Sequence, residues 1–216
     1  MRNTYKRTGR AALIAVMLLT ACGPALSAQQ KENKNPSEIG ETVIGDVVAD
    51  AMRAALGTDA ALINAGSLGI GPLPGKINEE TVEQLVPYTS DIVVAVKLTG
   101  GDIQLALERS VSTLPRRNSG FLQVSGITFI CDTSKKTGLR VSNLKIAGEP
   151  VDPDAVYTVA LTDFLSSGGS GYSSLKNGKL IEDSETALGD IVLRRADISE
   201  DAVNNTGTRI RITAEE

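Results

Sequence analysis

Apolar side chains recur along the chain at two spacings, one typical of helices and the other of strands. Residues 42–56 carry them every three to four positions, which predicts a helix, and Gly57 is placed to end it. The same spacing predicts helices at 102–114 and 186–195. A short apolar run at 59–64 stops at turn residues and therefore predicts a buried strand.

Further strands are predicted where β-branched residues cluster between turn residues. These runs are 92–98, 122–131, 139–146, 156–161 and 209–213. A short helix is predicted from Asn78, which can cap it, to about Leu85, with Pro87 closing it. Helices interleave with strands, and many connections resemble hairpins. We therefore expect an α/β chain of the α+β type, with a mixed sheet covered by helices.

The first residues have the pattern of an export signal. Residues 2–10 are basic and polar, 11–19 form a short apolar run, and Leu-Thr-Ala-Cys ends at Cys22. These are the parts of a secretory signal peptide. The tetrad resembles the bacterial lipobox, which implies cleavage before Cys22 and lipidation of that cysteine. The alternative is an ordinary signal peptide with a chance cysteine.

We therefore divide the chain into three predicted parts. They are a lipoprotein signal peptide at 1–21, the lipidated cysteine with a flexible tether at 22–39, and the folded domain at 40–216. Several acyl chains give stable anchoring where a single chain is marginal. We expect a protein that is secreted across the inner membrane and lipid-anchored in the cell envelope, at the outer membrane or the cell surface.

Composition narrows the chemistry that the chain can perform. The 216 residues include no histidine, which excludes a His-ligated metal, a Ser-His-Asp triad and an imidazole base. The two cysteines form no CxxC pair, which excludes a zinc knuckle, an iron–sulfur site and a disulfide framework. Residues 1–21 hold four basic side chains and no acid, so the other 195 carry 18 basic and 26 acidic ones. That acidic balance argues against a nucleic-acid partner.

Two glycine-rich motifs resemble catalytic loops but lack required residues. The segment 71–77 lacks the first Gly and the final Ser or Thr of a phosphate-binding loop. The segment 168–172 ends in tyrosine where a nucleophile elbow needs Gly, and no histidine is present to activate Ser170. We expect Asp102 to be a helix cap or a first-turn acid rather than a base, and Cys131 to be a core residue.

Two of the seven aromatic residues stand in loops where a ligand could reach them. Tyr88 follows a predicted helix, and Phe164 precedes a run of Ser and Gly that ends at Tyr172. Aromatic side chains in such loops can stack on flat ligands. Composition alone favours the alternative, in which they pack locally beneath the loop.

Four motifs follow one another along the chain. They are 44–52 (IGDVVADAM), 61–66 (ALINAG), 85–88 (LVPY) with 93–100, and the later pair 121–126 (FLQVSG) and 164–172. Taken in this order, they resemble the C-terminal domain of bacterial and animal 5′-nucleotidases. The resemblance extends over about 41–212 and implies a mixed α/β domain that binds the nucleoside end of a nucleotide. It further implies that Tyr88 and Phe164 sandwich the base and that Asn64 contacts it. In the family Gly66 belongs to the same turn as that asparagine.

The chain departs from the family at three positions. Gly40 and Gly69 replace two arginines, the latter on the phosphate side, and Ser170 replaces the aspartate that binds ribose hydroxyls. The base-stacking residues are therefore kept, and those for phosphate and ribose are not. The family's dimetal domain would have to precede residue 41, where we predict only a signal and a tether.

We therefore expect a lipid-anchored domain that recognises nucleosides or nucleotides. We expect it to act in nucleotide catabolism only together with a separate metallophosphoesterase chain. That partner would hold any divalent metals, and no cofactor is expected in this chain. The alternative is a non-catalytic envelope scaffold or interaction module that has lost nucleotide binding. A third hypothesis, ranked last, is a new enzyme that uses Ser170 or Lys97.

Overall fold

The computed structural model describes residues 34–181, 185–194 and 206–214. The predicted signal peptide, Cys22 and most of the predicted tether lie outside the described residues. Within the described part, the helices are α1 (Val43–Leu56), α2 (Gly100–Val111), α3 (Asp163–Ser166) and α4 (Leu188–Arg194). The strands are β1 (Ala60–Asn64), β2 (Ile92–Thr99), β3 (Leu122–Ser125), β4 (Ile127–Asp132), β5 (Val141–Ile146), β6 (Glu149–Pro150), β7 (Val156–Thr162), β8 (Lys179–Leu180), β9 (Thr186–Ala187) and β10 (Ile210–Thr213). The expected mixed α/β architecture is confirmed.

The larger sheet brings three chain segments to one edge. Its strand order is β3-β1-β7-β2-β8, and β9 also pairs with β2. Strands β1 and β7 are parallel, with Leu62 opposite Leu161, whereas β2 is antiparallel to β7, with Val93 opposite Thr162. The carboxyl ends of β1 and β7 therefore lie beside the amino end of β2. We call this the site edge, because Asn64 ends β1 there.

Apolar cores cover both faces of the larger sheet. Alternate residues of β1 enter different cores: Leu62 joins the cluster that includes α2, and Ile63 joins the cluster that includes α1 and α4. Strands that are buried on both faces have nearly continuous apolar sequences. This explains why β1 is an uninterrupted apolar run up to Asn64 and does not alternate with polar residues. The rigid sheet between the two cores holds the site edge in place.

A smaller sheet, of order β10-β4-β5-β6, packs against the α2 core. The strand predicted at 122–131 is divided by Gly126 into β3 and β4, so the expectation of one strand is wrong. Gly126 has φ 72°, and a Cβ there would lie 2.2 Å from the carbonyl oxygen of Asp59. The chain turns at this glycine from one sheet to the other. Cys131 in β4 is fully buried, as predicted, and burial raises the pKa of its thiol to about 11.

Capping residues fix the ends of the first two long helices, and Gly57 ends α1 as predicted. The side chain of Thr42 accepts a hydrogen bond from the Gly45 N–H, and Gly57 ends α1 in the left-handed conformation, with φ 60°. At α2, Thr99 and Asp102 form a reciprocal capping box. Asp102 is therefore a first-turn acid that takes part in capping, one of the two positions predicted for it.

Two predicted helices differ from the structure. Between Asn78 and Leu85 the chain forms a single 3₁₀ turn, Val82–Gln84. Asn78 accepts hydrogen bonds from nearby backbone N–H groups as a cap would, but the Thr81 hydroxyl donates to the carbonyl of Lys76. Such side-chain bonds compete with helical ones. The helix predicted at 186–195 begins only at α4, after the short strand β9.

A cluster of charges joins α1 to the segment that contains β10. The Glu41 carboxylate accepts hydrogen bonds from the backbone N–H groups of Gly207, Arg209 and Ile210, at 2.7–2.9 Å. The Arg209 guanidinium forms two bonds with the Asp50 carboxylate, at 2.9 and 2.8 Å. This pairing ties the segment carrying β10 to α1.

Asp46 lies at the buried side of this cluster and is completely inaccessible to solvent. Oδ1 of its carboxylate lies 3.5 Å from Nη1 of Arg209. Burial raises the pKa of Asp46 to about 8, against the lowering effect of Arg209. The carboxyl group is therefore largely protonated at neutral pH.

Candidate functional site

Asn64 ends β1 at the site edge, and its side chain is only 4% exposed. Its amide nitrogen donates to the Ser119 carbonyl at 3.4 Å, and its amide oxygen accepts from the Ser67 hydroxyl at 3.1 Å. Gly66, two residues later, donates its N–H to the same carbonyl at 2.7 Å. Both candidate residues therefore pack on the turn at 118–121. A ligand would have to use the second N–H or the second lone pair of the Asn64 amide.

Phe164 lies in α3 at the same edge. Residues 166–172, which follow it, are called the glycine loop here. A Cβ placed on Gly169 would lie 2.5 Å from Cζ of the Phe164 ring. The ring therefore rests against the backbone of Gly169, where only glycine leaves room. The side chain nevertheless stays 48% exposed, so it is not buried beneath its loop.

Left-handed backbone conformations give the glycine loop its course. They occur at Gly168, with φ 85°, at Ser170, with φ 54°, and at Gly171, with φ 83°. Glycine adopts this conformation freely, whereas serine does so only when its surroundings hold it there. Ser170 is therefore the one non-glycine residue in the loop that needs support.

Ser170 contacts the turn at 118–121 from the other side. A Cβ on Gly120 would lie 3.2 Å from Cβ of Ser170. Tyr172 is buried and donates its hydroxyl hydrogen bond to the Gly120 carbonyl. The turn thus lies between Asn64 and Gly66 on one side and the glycine loop on the other. The structure brings these candidates together around it.

Tyr88 reaches the site edge through the start of β2. It is 57% exposed, and its carbonyl accepts the N–H of Asp91 in the turn before the strand. Burial, and then the nearby charge of Asp163, raise the pKa of Asp91. Asp163 immediately precedes Phe164, so the segments that carry Tyr88 and Phe164 lie close enough for their acids to repel each other. Lys97, by contrast, lies further along β2, opposite Thr158.

The two glycines that replace arginines differ in their surroundings. A Cβ on Gly69 would lie 1.8 Å from the Gln84 carbonyl oxygen, so this backbone admits no side chain there. At Gly40 the nearest atom, Cδ1 of Ile212, is 3.9 Å from such a Cβ. Beside Gly69 is a largely apolar pocket of about 380 Å³, lined in part by Pro36, Ile44 and Leu73.

Sequence reasoning missed three contributors to this site. The turn at 118–121 has a signal in Asn118, whose side chain accepts the Gly120 N–H, as Asn does in turns before glycine. Tyr172 ends the Ser and Gly run in the sequence, but nothing there indicates that it is buried and supports the loop through the Gly120 carbonyl. Arg109, which donates to the Ser170 carbonyl, has no acidic residue three or four positions away along α2, a pattern that leaves it available for a tertiary contact.

The described residues contain neither a cluster of metal-ligating side chains nor a helix that could span a membrane. Within 34–181, 185–194 and 206–214, no group of three or more His, Cys, Asp or Glu residues is placed to hold a metal ion. None of the helices described there combines the length and the apolar character that crossing a membrane requires.

A mixed sheet covered by helices on both faces, with an asparagine turn and a glycine loop at one edge, defines an α/β domain of the 5′-nucleotidase C-terminal type. Residues 22–177 match the family model for the 5′-nucleotidase C-terminal domain. The chain therefore belongs to this family.

Several known proteins are similar to the chain. A trifunctional nucleotide phosphoesterase of Bacillus subtilis is 34% identical over 62% of this chain and 10% of its own length. The bovine 5′-nucleotidase is 35% identical over 51% of this chain and 20% of its own length. The crystal structure of a 5′-nucleotidase precursor from Thermus thermophilus superposes with a TM-score of 0.72 and 27% identity, over 85% of this chain and 38% of that one. The chain thus spans about a tenth to a quarter of the length of the curated relatives that it matches.

Proposed function

We propose that this chain recognises the nucleoside part of a nucleoside or nucleotide by stacking the base between Tyr88 and Phe164. The observation that carries the proposal is the half-exposed ring of Phe164, backed by Gly169 at the site edge that the Tyr88 segment also reaches. Offset stacking on aromatic rings stabilises flat heterocycles. The names of the similar proteins, which refer to nucleotides, support the same ligand class.

The proposed role in hydrolysis requires a second component. Hydrolysis of a phosphate ester at two metal ions needs a set of metal ligands, and the 216 residues contain no histidine. We propose that a separate metallophosphoesterase chain holds the metals while this domain holds the nucleoside. We further propose that lipidation of Cys22 anchors the domain in the cell envelope, where it would meet nucleotides outside the cytoplasm.

The absence of tryptophan from the chain allows a direct binding experiment. Phe164→Trp in the full chain keeps an aromatic ring at the site and introduces a single tryptophan, whose emission can be excited separately from that of the four tyrosines. Titration with adenosine and with AMP should quench its emission, with sub-millimolar affinity, or about −5 kcal/mol. Adding Tyr88→Ala should weaken the binding.

A matched reporter excludes non-specific quenching. Leu139→Trp introduces the same fluorophore at a side chain that is 67% exposed and lies just before β5. Its emission should not respond to adenosine. Isothermal titration of the unaltered chain, compared with Tyr88→Ala alone, checks the affinity without a reporter. No response to either ligand at Phe164→Trp and no heat with the unaltered chain would overturn the binding proposal.

Two further experiments test the partner and the anchor separately. A secreted metallophosphoesterase, supplied with a divalent metal, should hydrolyse AMP faster when this chain is added. Equal rates would remove the split-enzyme proposal and leave nucleoside binding unaffected. Metabolic labelling with an alkyne fatty acid should mark the unaltered protein but not Cys22→Ala, and an unlabelled parent protein would remove the anchoring proposal.

The second candidate function is a scaffold or interaction module that no longer binds nucleotides. It is favoured by the contact at Gly69, whose approach to the Gln84 carbonyl leaves no room for the family's arginine. This function predicts that Tyr88→Ala and Phe164→Ala change stability only. A measured change in nucleoside affinity in either variant would exclude it.

A further inference from the structure

Arg109, in the last turn of α2, contacts the glycine loop with its guanidinium group. Nη2 donates to the Ser170 carbonyl at 2.9 Å, and Nη1 donates to the Ser112 hydroxyl at 3.2 Å. A Cβ on Gly171 would lie 3.1 Å from Nη2 and 3.2 Å from Nε. The planar group therefore lies against the Ser170–Gly171 corner and is itself held by the end of α2.

This corner is the part of the loop that needs an external partner. Ser170 has φ 54° and ψ 14°, a left-handed conformation that is unfavourable for a residue with a side chain. The bond from Arg109 fixes the carbonyl of that same residue. The buried ring of Tyr172 holds the chain on the other side of the corner. Together these contacts support a conformation that Ser170 would not adopt by itself.

The position of the corner determines the position of the stacking ring. Gly169 immediately precedes Ser170, and the Phe164 ring rests directly against it. A change in the peptide between Ser170 and Gly171 would therefore move the surface that supports Phe164. Arg109 is thus linked to the ring through the backbone and needs no contact with a ligand.

We propose that Arg109 is a positioning residue, which holds the glycine loop so that Gly169 presents Phe164 for stacking. The inference rests on the proposed nucleoside-binding function and assigns to it a residue that belongs to none of the four family-like motifs. A lysine has one nitrogen where arginine has three, so it cannot bridge Ser170 and Ser112 in the same way.

The first test measures adenosine binding to the full chain by titration. Arg109→Ala should lower the affinity about tenfold, as expected when a base loses a well-placed stacking ring. Arg109→Lys should lower it less. The matched control is Arg116→Ala, because Arg116 is also exposed. The hydrogen bonds described for Arg116 involve its backbone N–H and carbonyl groups, which alanine keeps.

A spectroscopic measurement separates positioning from general stability. In the Phe164→Trp background, Arg109→Ala should shift the emission to longer wavelength and lower its anisotropy, because the ring loses its support. The same substitution should leave the emission of the Leu139→Trp reporter unchanged. A merely structural role would alter the melting temperature without altering the fluorophore at residue 164 in the folded protein.

Chemical rescue tests directly whether the missing guanidinium group causes the loss of binding in Arg109→Ala. Arg109 lines a solvent-open cavity of about 330 Å³ together with Leu105, Tyr172 and Asn177. Its removal leaves space where a free guanidinium ion could occupy the same position. Low-millimolar guanidinium chloride, far below denaturing concentrations, should restore adenosine affinity to Arg109→Ala. Sodium chloride at equal ionic strength should not, and neither salt should rescue Tyr88→Ala.

The outcomes distinguish this inference from the function on which it rests. If the unaltered chain does not bind adenosine, the proposed function fails. If the unaltered chain binds and Arg109→Ala binds equally well, only the positioning role fails. If Arg109→Ala does not fold, Arg109→Lys decides: unchanged affinity and emission in the folded lysine variant would overturn the role, and weakened binding with shifted emission would support it.

Discussion

The Phe164 ring lies so close to the backbone of Gly169 that a methyl group on residue 169 would be 2.5 Å from Cζ of the ring. Glycine is therefore required here for its lack of volume and not for an unusual backbone conformation. Gly169 therefore sets the position of the half-exposed Phe164 ring, although Gly169 itself need not touch a ligand. Binding and stability should thus be separable at this position.

Gly169→Ala should displace the Phe164 ring and lower adenosine affinity about tenfold, because the stacking surface moves. The free energy of unfolding should change by less than about 1 kcal/mol, since the half-exposed ring can swing away from its loop. Titration calorimetry and urea denaturation measure the two effects. Gly75→Ala provides the control, because nothing lies within 4 Å of a Cβ at that position. Equal affinities in the two variants would contradict the role of this contact.

The two glycines that replace family arginines should respond differently to a side chain. Gly69→Ala forces a methyl group towards the Gln84 carbonyl and should lower the free energy of unfolding by about 1–3 kcal/mol. Gly40→Ala, which meets only Ile212 at 3.9 Å, should stay within about 0.5 kcal/mol of the parent. Urea denaturation of both variants checks the difference. A Gly69→Ala protein as stable as the parent would mean that the backbone adjusts easily enough to accept an arginine.

Asp46 should make the stability of the domain depend on pH. Burial raises its pKa from 3.8 to about 8, so the folded protein holds a proton that the unfolded chain releases. Stability should therefore fall as the pH rises from 3.8 towards 8, with the full penalty present above pH 8. Asp46→Asn should match the parent below pH 3.8 and exceed its stability by on the order of 5 kcal/mol above pH 8, since one pKa unit corresponds to about 1.4 kcal/mol.

Denaturation of parent and variant across this pH range isolates the contribution of Asp46, because the other titrating groups are common to both. Asp190→Asn changes an exposed aspartate of α4 in the same way and serves as the control. A stability difference between Asp46→Asn and the parent that does not vary with pH would show that the buried carboxyl is ionised throughout.

Asp102 should contribute to stability and not to ligand chemistry. Burial tends to raise its pKa, but hydrogen bonds from Thr99 and Asn177 outweigh burial and hold the pKa below 3.8. The stability that the Asp102 carboxylate adds to the folded state should therefore be fully present above pH 3.8 and be lost as the pH falls through the folded-state pKa. Asp102→Ala should cost about 1 kcal/mol at neutral pH by removing the capping box.

Adenosine titration provides the contrasting readout for Asp102. Because the carboxylate caps α2 and bonds to Asn177, its loss should leave the affinity of the folded protein unchanged. A tenfold loss of binding without loss of stability would instead place Asp102 in the ligand site.

The sequence predicts an element correctly where residues close together in the chain determine its structure. The course of α1 from its Thr42 cap to the left-handed Gly57 follows from spacing and capping chemistry alone. The division of 122–131 at Gly126 does not, because its cause is the carbonyl of Asp59, more than sixty residues earlier in the chain. Periodicity carries no information on such an approach, so the two strands were predicted as one.

The same limit applies to the candidate site. Tyr88, Phe164 and Asn64 could be named as candidates from the sequence, because the motifs that contain them resemble those of the family and stand in the same order. The residues that support them could not be predicted. Tyr172 donates to the Gly120 carbonyl and Arg109 to the Ser170 carbonyl, and each carbonyl is more than fifty residues away from its donor along the chain. A tyrosine at the end of a Ser–Gly run predicts nothing by itself about burial. Only the packing of the loop on the 118–121 turn places it in the core.

The charge cluster around Arg209 has a consequence for the timing of folding. The carboxylates of Glu41 and Asp50 belong to the beginning of the domain, but the guanidinium and N–H groups that pair with them are made near its end. A nascent chain that has not yet reached Arg209 leaves these acids without this counter-ion and the edge of β4 uncovered. The domain can therefore close only after Arg209 has been synthesised, so its folding is completed late in translation.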